Sequence, residues 1–374
     1  MIRITGVLRQ EPQIFDGKQN FKLGQIEVWT SQYPEYHYGD SLEVVGKLNK
    51  KVNQVLFFTS NRYRLNSPQI KIRSAGKITW GITKTAIKIK QQWQKLFEQS
   101  LPKPLDGIMA GIVLGDKSLI PASFWEELRQ TGTLHIMVAS GMNIALVAGS
   151  ALAILTLFFR RKVAIVFLLG LIWFYSILIG FSAPIVRAAV MASLTYLAQF
   201  LGREAESGRV LWLAGYFMLL VNPMLLWDVG FQLSFLATLG LIYFQPLLSS
   251  SQSVLLRNEN FVSSLAAQLM TLPILAVNFG SFNLASPLIN LAVLWAIPLL
   301  LQAGMAIGLV SLLWQQLGET LLLLLYPLLW WIWQVVELSA RTSIFQIDLG
   351  HIGWWIWGLY YILLGVWLKK ARKF

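Results

Sequence analysis

The 374-residue chain contains no cysteine, and histidine occurs three times, as His37, His135 and His351. The first absence excludes a disulfide framework and a thiolate metal site. Three scattered imidazoles also argue against a zinc or di-metal hydrolase, so no metal or other cofactor is expected. Charge is scarce. Lys, Arg, Asp and Glu form 13% of the chain, about half the fraction of an ordinary soluble domain. No nucleotide-binding motif is present, which leaves any energy source unassigned.

Hydrophobic residues make up 55% of the chain, with 16 Trp and a mean hydropathy of +0.56. From about residue 133 apolar stretches recur at lengths near the ~20 residues a bilayer requires. Nine are expected, at 133–158, 162–181, 184–201, 208–221, 229–248, 261–278, 286–313, 317–338 and 352–368. Pro184, Pro223, Pro246, Pro273, Pro287 and Pro298 fall at or inside them. Membrane helices tolerate such breaks where neighbours or a water-filled cavity satisfy the freed backbone groups.

The charge that exists is uneven. Residues 1–104 hold 17 Lys/Arg against 7 Asp/Glu, and so carry ten of the thirteen net positive charges. A surplus of that sign favours a polyanion, either nucleic acid or lipid headgroups. Residues 1–75 read as β: IRITGVLR, FKLGQIEVWT, SLEVVGKL and QVLFFTSNRYRL are separated by turn signals at Phe15-Asp16-Gly17, Tyr38-Gly39-Asp40 and Leu48-Asn49-Lys50. Short strands at that spacing point to a small OB-like barrel. Trp29, Tyr33, Tyr36, Phe57 and Tyr63 could either stack on bases or fill the barrel.

Residues 76–104 change period. Ile82, Ala86, Ile89, Trp93 and Leu96 recur at steps of three and four, with Lys84, Lys88 and Lys95 elsewhere on the wheel. This is a basic amphipathic helix, suited either to the membrane interface or to packing.

Orientation follows from the short loops. Arg160-Arg161-Lys162, the Arg203/Arg209 loop, Arg257 and the tail from Lys369 to Lys373 occupy alternate connections, whereas the opposing ones hold Arg341 and no Lys. The positive-inside rule puts the first set and the C-terminus in the cytoplasm, and the barrel outside. An upstream export segment is then expected.

Polar groups inside apolar segments are costly and therefore functional candidates. They are His135, Ser140 and Asn143; Arg187; Asp228, Gln232 and Ser234; Gln268; Asn290; Gln302; and Glu337. Gly141 would permit close backbone approach. Arg187 and Asp228 read either as a structural ion pair or as an Arg lining a polar path, oriented by the carboxylate. Ser140 with His135 could also mark an intramembrane hydrolase, although five residues on one helix point the two side chains in different directions.

Four blocks, GDKSLIP–FWEELRQTGTLHIMVASGMNIALVAG (115–149), FSAPIVRAAVMASLTY (181–196), NPMLLWDVGFQLSFLATLGLIYF (222–244) and LMTLPILAVNFGSFNLASPLINLAVLWAIPLL (269–300), resemble in order and spacing the ComEC-type competence domain. The resemblance implies a non-enzymatic inner-membrane channel, polytopic over 105–374. It would pass single-stranded DNA into a bacterium during natural transformation. Residues 1–75 look like the family's OB-like domain, and Trp29, Lys47, Lys50, Lys51, Arg62 and Arg64 are its expected DNA contacts. The translocation path is expected to use His135, Ser140, Gly141, Asn143, Arg187, Asp228, Gln232 and Ser234. Implied partners are the bilayer, a DNA receptor, a helicase or ATPase, a separate nuclease and, for a homo-oligomer, further copies of the chain. Three departures stand out. Asn143 occupies the place of a second His usual in the family, the usual helices before the OB domain are missing, and so is the C-terminal metallo-β-lactamase-like domain. The alternative reading is a transporter or flippase for an anionic small molecule or lipid.

Overall fold

A computed structural model of the protein describes residues 2–8, 13–15, 18–23, 26–31, 34, 36, 41–55, 58–66, 68–74, 81–137, 140–249, 257–279, 281–342, 346–348 and 354–371. Strands β1 (Ile2–Val7), β2 (Gln13–Phe15), β3 (Lys18–Leu23), β4 (Ile26–Ser31), β5 (Ser41–Gly46), β6 (Leu48–Val55), β7 (Phe58–Asn66) and β8 (Gln69–Ser74) come first. Burial alternates along them with the period of two that a pleated strand imposes, as at Leu42 and Val44 of β5. β1, β5 and β8 form one antiparallel sheet. The second has the order β2-β3-β4-β7-β6, with β4 and β7 parallel. Only Lys47 separates β5 from β6, so one stretch of chain pairs with β1 at its start and with β7 at its end.

One expectation changes here, and one open choice is decided. Leu48-Asn49-Lys50, read as a turn, begins β6. The ladder pairing Asn49 with Arg64 and Lys50 with Tyr63 overrides the turn propensity of Asn. Tyr36, a candidate base platform, is a core ring lying edge-on to Phe21 at 5.7 Å, among Leu8, Val28, Leu42 and Leu65. Trp29 is half-buried on β4. Tyr33, Phe57, His37 and His351 lie outside the described residues, as do the side chains of Lys50, Lys51, Arg62, Tyr63 and Arg64.

Helices follow: α1 (Gly81–Ser100), α2 (Leu105–Leu114), α3 (Ala122–Thr131), α4 (Gly141–Phe158), α5 (Arg161–Ile179), α6 (Ala183–Phe200), α7 (Ser207–Val221), α8 (Val229–Tyr243), α9 (Gln245–Ser249), α10 (Glu259–Phe279), α11 (Ser286–Leu294), α12 (Ile297–Ser311), α13 (Gln315–Leu322), α14 (Tyr326–Arg341) and α15 (Trp354–Ala371). Short strands β9 (Ser281–Asn283) and β10 (Gln346–Asp348) pair antiparallel between them. Among the described residues, five runs are long and apolar enough to cross a bilayer: those ending in α4 and α14, and α5, α6 and α10. The α11–α12 pair, bent by 41° at its break, is a sixth candidate, a broken span or a re-entrant loop. The other three expected segments correspond to the shorter apolar helices α7, α8 and α15.

Most prolines mark starts, not interruptions. Pro184, Pro287 and Pro298 occupy the first turns of α6, α11 and α12, and Pro223 opens a 3₁₀ turn before α8. Their missing N–H costs nothing there. Pro273 alone of the six lies well inside a helix, α10.

The core of the helical domain is built around α2, whose ten residues are all buried. α1 lies on it and buries Ala86, Trp93, Leu96 and Phe97. One face of the amphipathic helix is thus protein core. Its seat on α12 depends on small residues: a Cβ at Gly308 would stand 2.6 Å from Trp93 Cε2, and one at Gly304 would overlap Met109 of α2. That Gly-xxx-Gly spacing brings helices together at backbone distance, as membrane interfaces favour.

Candidate functional site

Three helices meet at Arg187. It sits in the second turn of α6, 6% exposed, and its Nη1 donates to the Thr238 hydroxyl of α8. That hydroxyl in turn donates to the Ser234 carbonyl at 2.9 Å, the usual back-bond of a helical Thr. Met191 Sδ lies 3.9 Å from Nη1, while Nε is buried without a partner. From the third side comes α4. A Cβ on Gly141, its first residue, would be 3.1 Å from Arg187 Nη2. A side chain there would push the guanidinium by a few tenths of an ångström. The amino end of a helix carries partial positive charge. The guanidinium and the helix therefore present the same sign to one another.

No carboxylate offsets them. Asp228 caps α8 by accepting from Phe231 N at 2.9 Å, and Arg187 forms no ion pair with it or with any other described residue. Asp228 Oδ1 instead approaches Gly230 near Pro184. An ion pair needs the two charges within about 4 Å, and Asp228 is committed to its own helix N-terminus.

The remaining expected residues divide. Asn143 is buried and donates from Nδ2 to the Ile112 carbonyl at 2.9 Å, and beside it Tyr175 OH donates to the Val113 carbonyl at 3.1 Å. These are orphan carbonyls at the end of α2, whose last turn closes on left-handed Gly115. Asn143 is therefore a tether between α4 and α2. Ser140 Oγ lies 3.5 Å from Asn143 Oδ1. His135 stands exposed in a 3₁₀ turn, with Nδ1 3.1 Å from the Gly132 carbonyl. A carbonyl can only accept, so Nδ1 is the donor of that bond, and among the described residues His135 makes no hydrogen bond to Ser140. Gln232 donates to the Leu226 carbonyl at 2.7 Å, and its Oε1 is buried without a partner.

Sequence reasoning missed Thr238, Met191 and Tyr175. Thr238 carried one signal, its i,i+4 spacing from Ser234 on a helix already marked as polar. Elsewhere, Asn290 of α11 and Ser193 of α6 each hold a buried polar oxygen without a partner. Glu337 pairs with Arg341 one turn on at 2.5 Å, and Gln302 is exposed. No group of three or more His, Asp or Glu that could hold a metal occurs among the described residues.

Charge outside the spans is handled differently. Asp116, after α2, lies 3.4 Å from Lys90 of α1 and accepts from Ser118 N at 2.9 Å. Burial pushes its carboxyl up, but Lys90 and Ser118 outweigh that and hold it below the usual carboxylate range.

The family described as Competence protein matches residues 112–373. ComE operon protein 3 of Bacillus subtilis (strain 168) is 26% identical over 253 residues, which cover 67% of this chain and 32% of that protein. Competence protein ComA of Neisseria gonorrhoeae is 27% identical over 222 residues, 56% of this chain and 31% of that one. Recombination protein 2 of Haemophilus influenzae is 25% identical over 176 residues, 43% of this chain and 22% of that one. The chain thus spans about a third or less of each relative's length. No solved structure matches it.

Proposed function

The chain belongs to the competence-protein family, and from that premise we propose that it is the membrane channel subunit that passes single-stranded DNA into the cell during natural transformation. The observation that carries this reading is Arg187, a buried guanidinium facing a helix N-terminus with no carboxylate beside it. A guanidinium in that setting needs an anion or water to be tolerable. A phosphate of a passing strand supplies one transiently, which suits a channel better than a permanent counter-ion would. The orphaned polar atoms of Ser193, Gln232 and Asn290 fit a hydrated path alongside.

The N-terminal strands support an OB-like reading. The order β2-β3-β4-β7-β6, the parallel β4–β7 pair and the shared β5–β6 stretch closing onto β1 follow that barrel's connectivity. This basic module binds DNA electrostatically, through contacts at Trp29, Lys47, Lys50, Lys51, Arg62 and Arg64, with strong salt dependence. The orientation rests on the basic loops. Arg161 donates to Gln199 at 3.2 Å and Lys162 lies over Phe200, so the α4–α5 and α6–α7 connections share one end of the bundle. Nine crossings, with α7, α8 and α15 as short ones, put that end, the C-terminus and the α12–α13 turn in the cytoplasm; α1 begins beside that turn, so the same reading puts the barrel on that side and not outside as the sequence led us to expect. No catalytic step is part of this role. A DNA receptor, a motor and a nuclease are its expected companions.

The test is transformation in cells carrying Arg187→Ala or Arg187→Lys, with membrane insertion checked. Loss of charge-assisted phosphate contacts lowers uptake by roughly one to two orders of magnitude in the alanine variant and less in the lysine variant. Wild-type uptake by Arg187→Ala, at normal insertion, sinks the proposal.

A further inference from the structure

A second basic feature lies away from Arg187. Between the N-terminal half of α1 and the end of α12 runs a groove of about 460 Å³, lined by Lys84, Thr85, Lys88, Ile89, Gln92 and Leu312. Lys84 and Lys88 are one helical turn apart and exposed, and among the described residues neither has a carboxylate partner. Their direction is fixed from behind, because the opposite face of α1 is locked into the core through Trp93 on Gly308.

The surroundings are apolar. The α12–α13 turn leaves Leu313 93% and Trp314 62% exposed, and Ile82 of α1 is exposed as well. That turn joins the bent α11–α12 pair to the apolar run beginning at Gln315, and with both read as membrane segments it stands at a bilayer surface. Trp is favoured at that depth, and a bare Leu there needs hydrocarbon. Cationic and amide donors thus sit beside walls that want acyl chain. A nucleic-acid strand would satisfy the lysines and leave Leu313 and Ile82 in water.

We propose that this groove binds the headgroup of an anionic phospholipid of the phosphatidylglycerol class, its phosphate between Lys84 and Lys88 and its acyl chains along Leu312 and Leu313. The site is separate from the translocation path and does not depend on what passes through it.

The test is native mass spectrometry of the full chain released from detergent with phosphatidylglycerol or phosphatidylcholine. Wild type retains phosphatidylglycerol preferentially. Each lysine near a membrane surface contributes about fivefold in affinity, so Lys84→Gln/Lys88→Gln weakens retention roughly 25-fold. Phosphatidylcholine binding and the melting temperature stay unchanged. Leu312→Ser, which keeps both lysines, also weakens the lipid adduct. Equal phosphatidylglycerol retention in the double variant overturns the proposal. So does displacement of the lipid by millimolar glycerol phosphate or by a thymidine oligonucleotide, since either makes the groove a general phosphate or nucleic-acid surface.

Discussion

Asp116 and Arg187 are both charges drawn into the helical domain, and the protein treats them in opposite ways. Around Asp116 everything is complementary: an ammonium at 3.4 Å and a backbone N–H at 2.9 Å. Around Arg187 the partners are a hydroxyl and a thioether, and the nearest helix end has its own sign. A paired buried charge is satisfied and therefore structural. An unpaired one raises the energy of the empty protein and lowers it again when an anion arrives. The contrast is the ground on which Arg187 is proposed as site and Asp116 as scaffold, and it needs no relative.

The largest expected effect breaks the comparison if it fails. Arg187→Ala should reduce DNA uptake by roughly one to two orders of magnitude while leaving the melting temperature in detergent the same or higher, since an uncompensated charge is removed. Asp116→Asn should do the reverse, lowering stability by about 2 kcal/mol with uptake reduced only as far as folded protein is lost. The pH profile sharpens this. A carboxyl whose folded-state pKa lies below its unfolded value stabilises above the unfolded value, near 3.9, and that stabilisation fades as pH falls through the folded one. Wild type should therefore lose stability below about pH 4 more steeply than Asp116→Asn. Parallel melting curves would mean that Asp116 contributes nothing through its charge.

A smaller effect is expected at Gly141. Alanine there puts a methyl 3.1 Å from Arg187 Nη2 and moves the guanidinium by a few tenths of an ångström. Uptake should fall severalfold, about 1 kcal/mol in transition-state terms, because misplacement of a binding group is felt steeply. Insertion should be normal. An unaffected Gly141→Ala would show that the approach of α4 to Arg187 is only packing.

How much of this was legible in the sequence depends on the kind of fact. Burial along a helix face could be read in part from periodicity: of Ile82, Ala86, Ile89, Trp93 and Leu96, expected on one side of α1, Ala86, Trp93 and Leu96 are buried, Ile89 is half-buried and Ile82, in the first turn, is exposed. What that side meets could not be read, because Gly308, which admits Trp93, lies about two hundred residues away. Gly141 was legible as a place where another element could come near, and Arg187 Nη2 does. The Arg187–Asp228 pairing was not, because opposite charges on neighbouring helices say nothing about height, and an Asp just before a helix is claimed by its own backbone first. Asn143 looked like a path residue for the same reason that it makes a good tether: a buried amide must bond to something, and sequence does not say to what. Proline was read as interruption and proved mostly to be initiation, which position relative to the next helix decides.

The smallest expected effect lies at the far end of α14, where the comparison reaches its limit. Glu337 and Arg341 form an i,i+4 pair at 2.5 Å, with Arg341 74% exposed. Glu127 of α3 faces them, and burial, with the Glu337 charge, pushes its carboxyl above the usual range. Glu337→Gln removes a favourable contact with Arg341 and an unfavourable one with Glu127. Both are screened by solvent, and exposed pairs are worth less than about 1 kcal/mol. The two changes oppose each other, so the melting temperature should stay within a degree or two and uptake should not change. A large loss of uptake at normal stability would place this end of the bundle on the DNA path. An unpartnered charge would then no longer be what distinguishes site from scaffold.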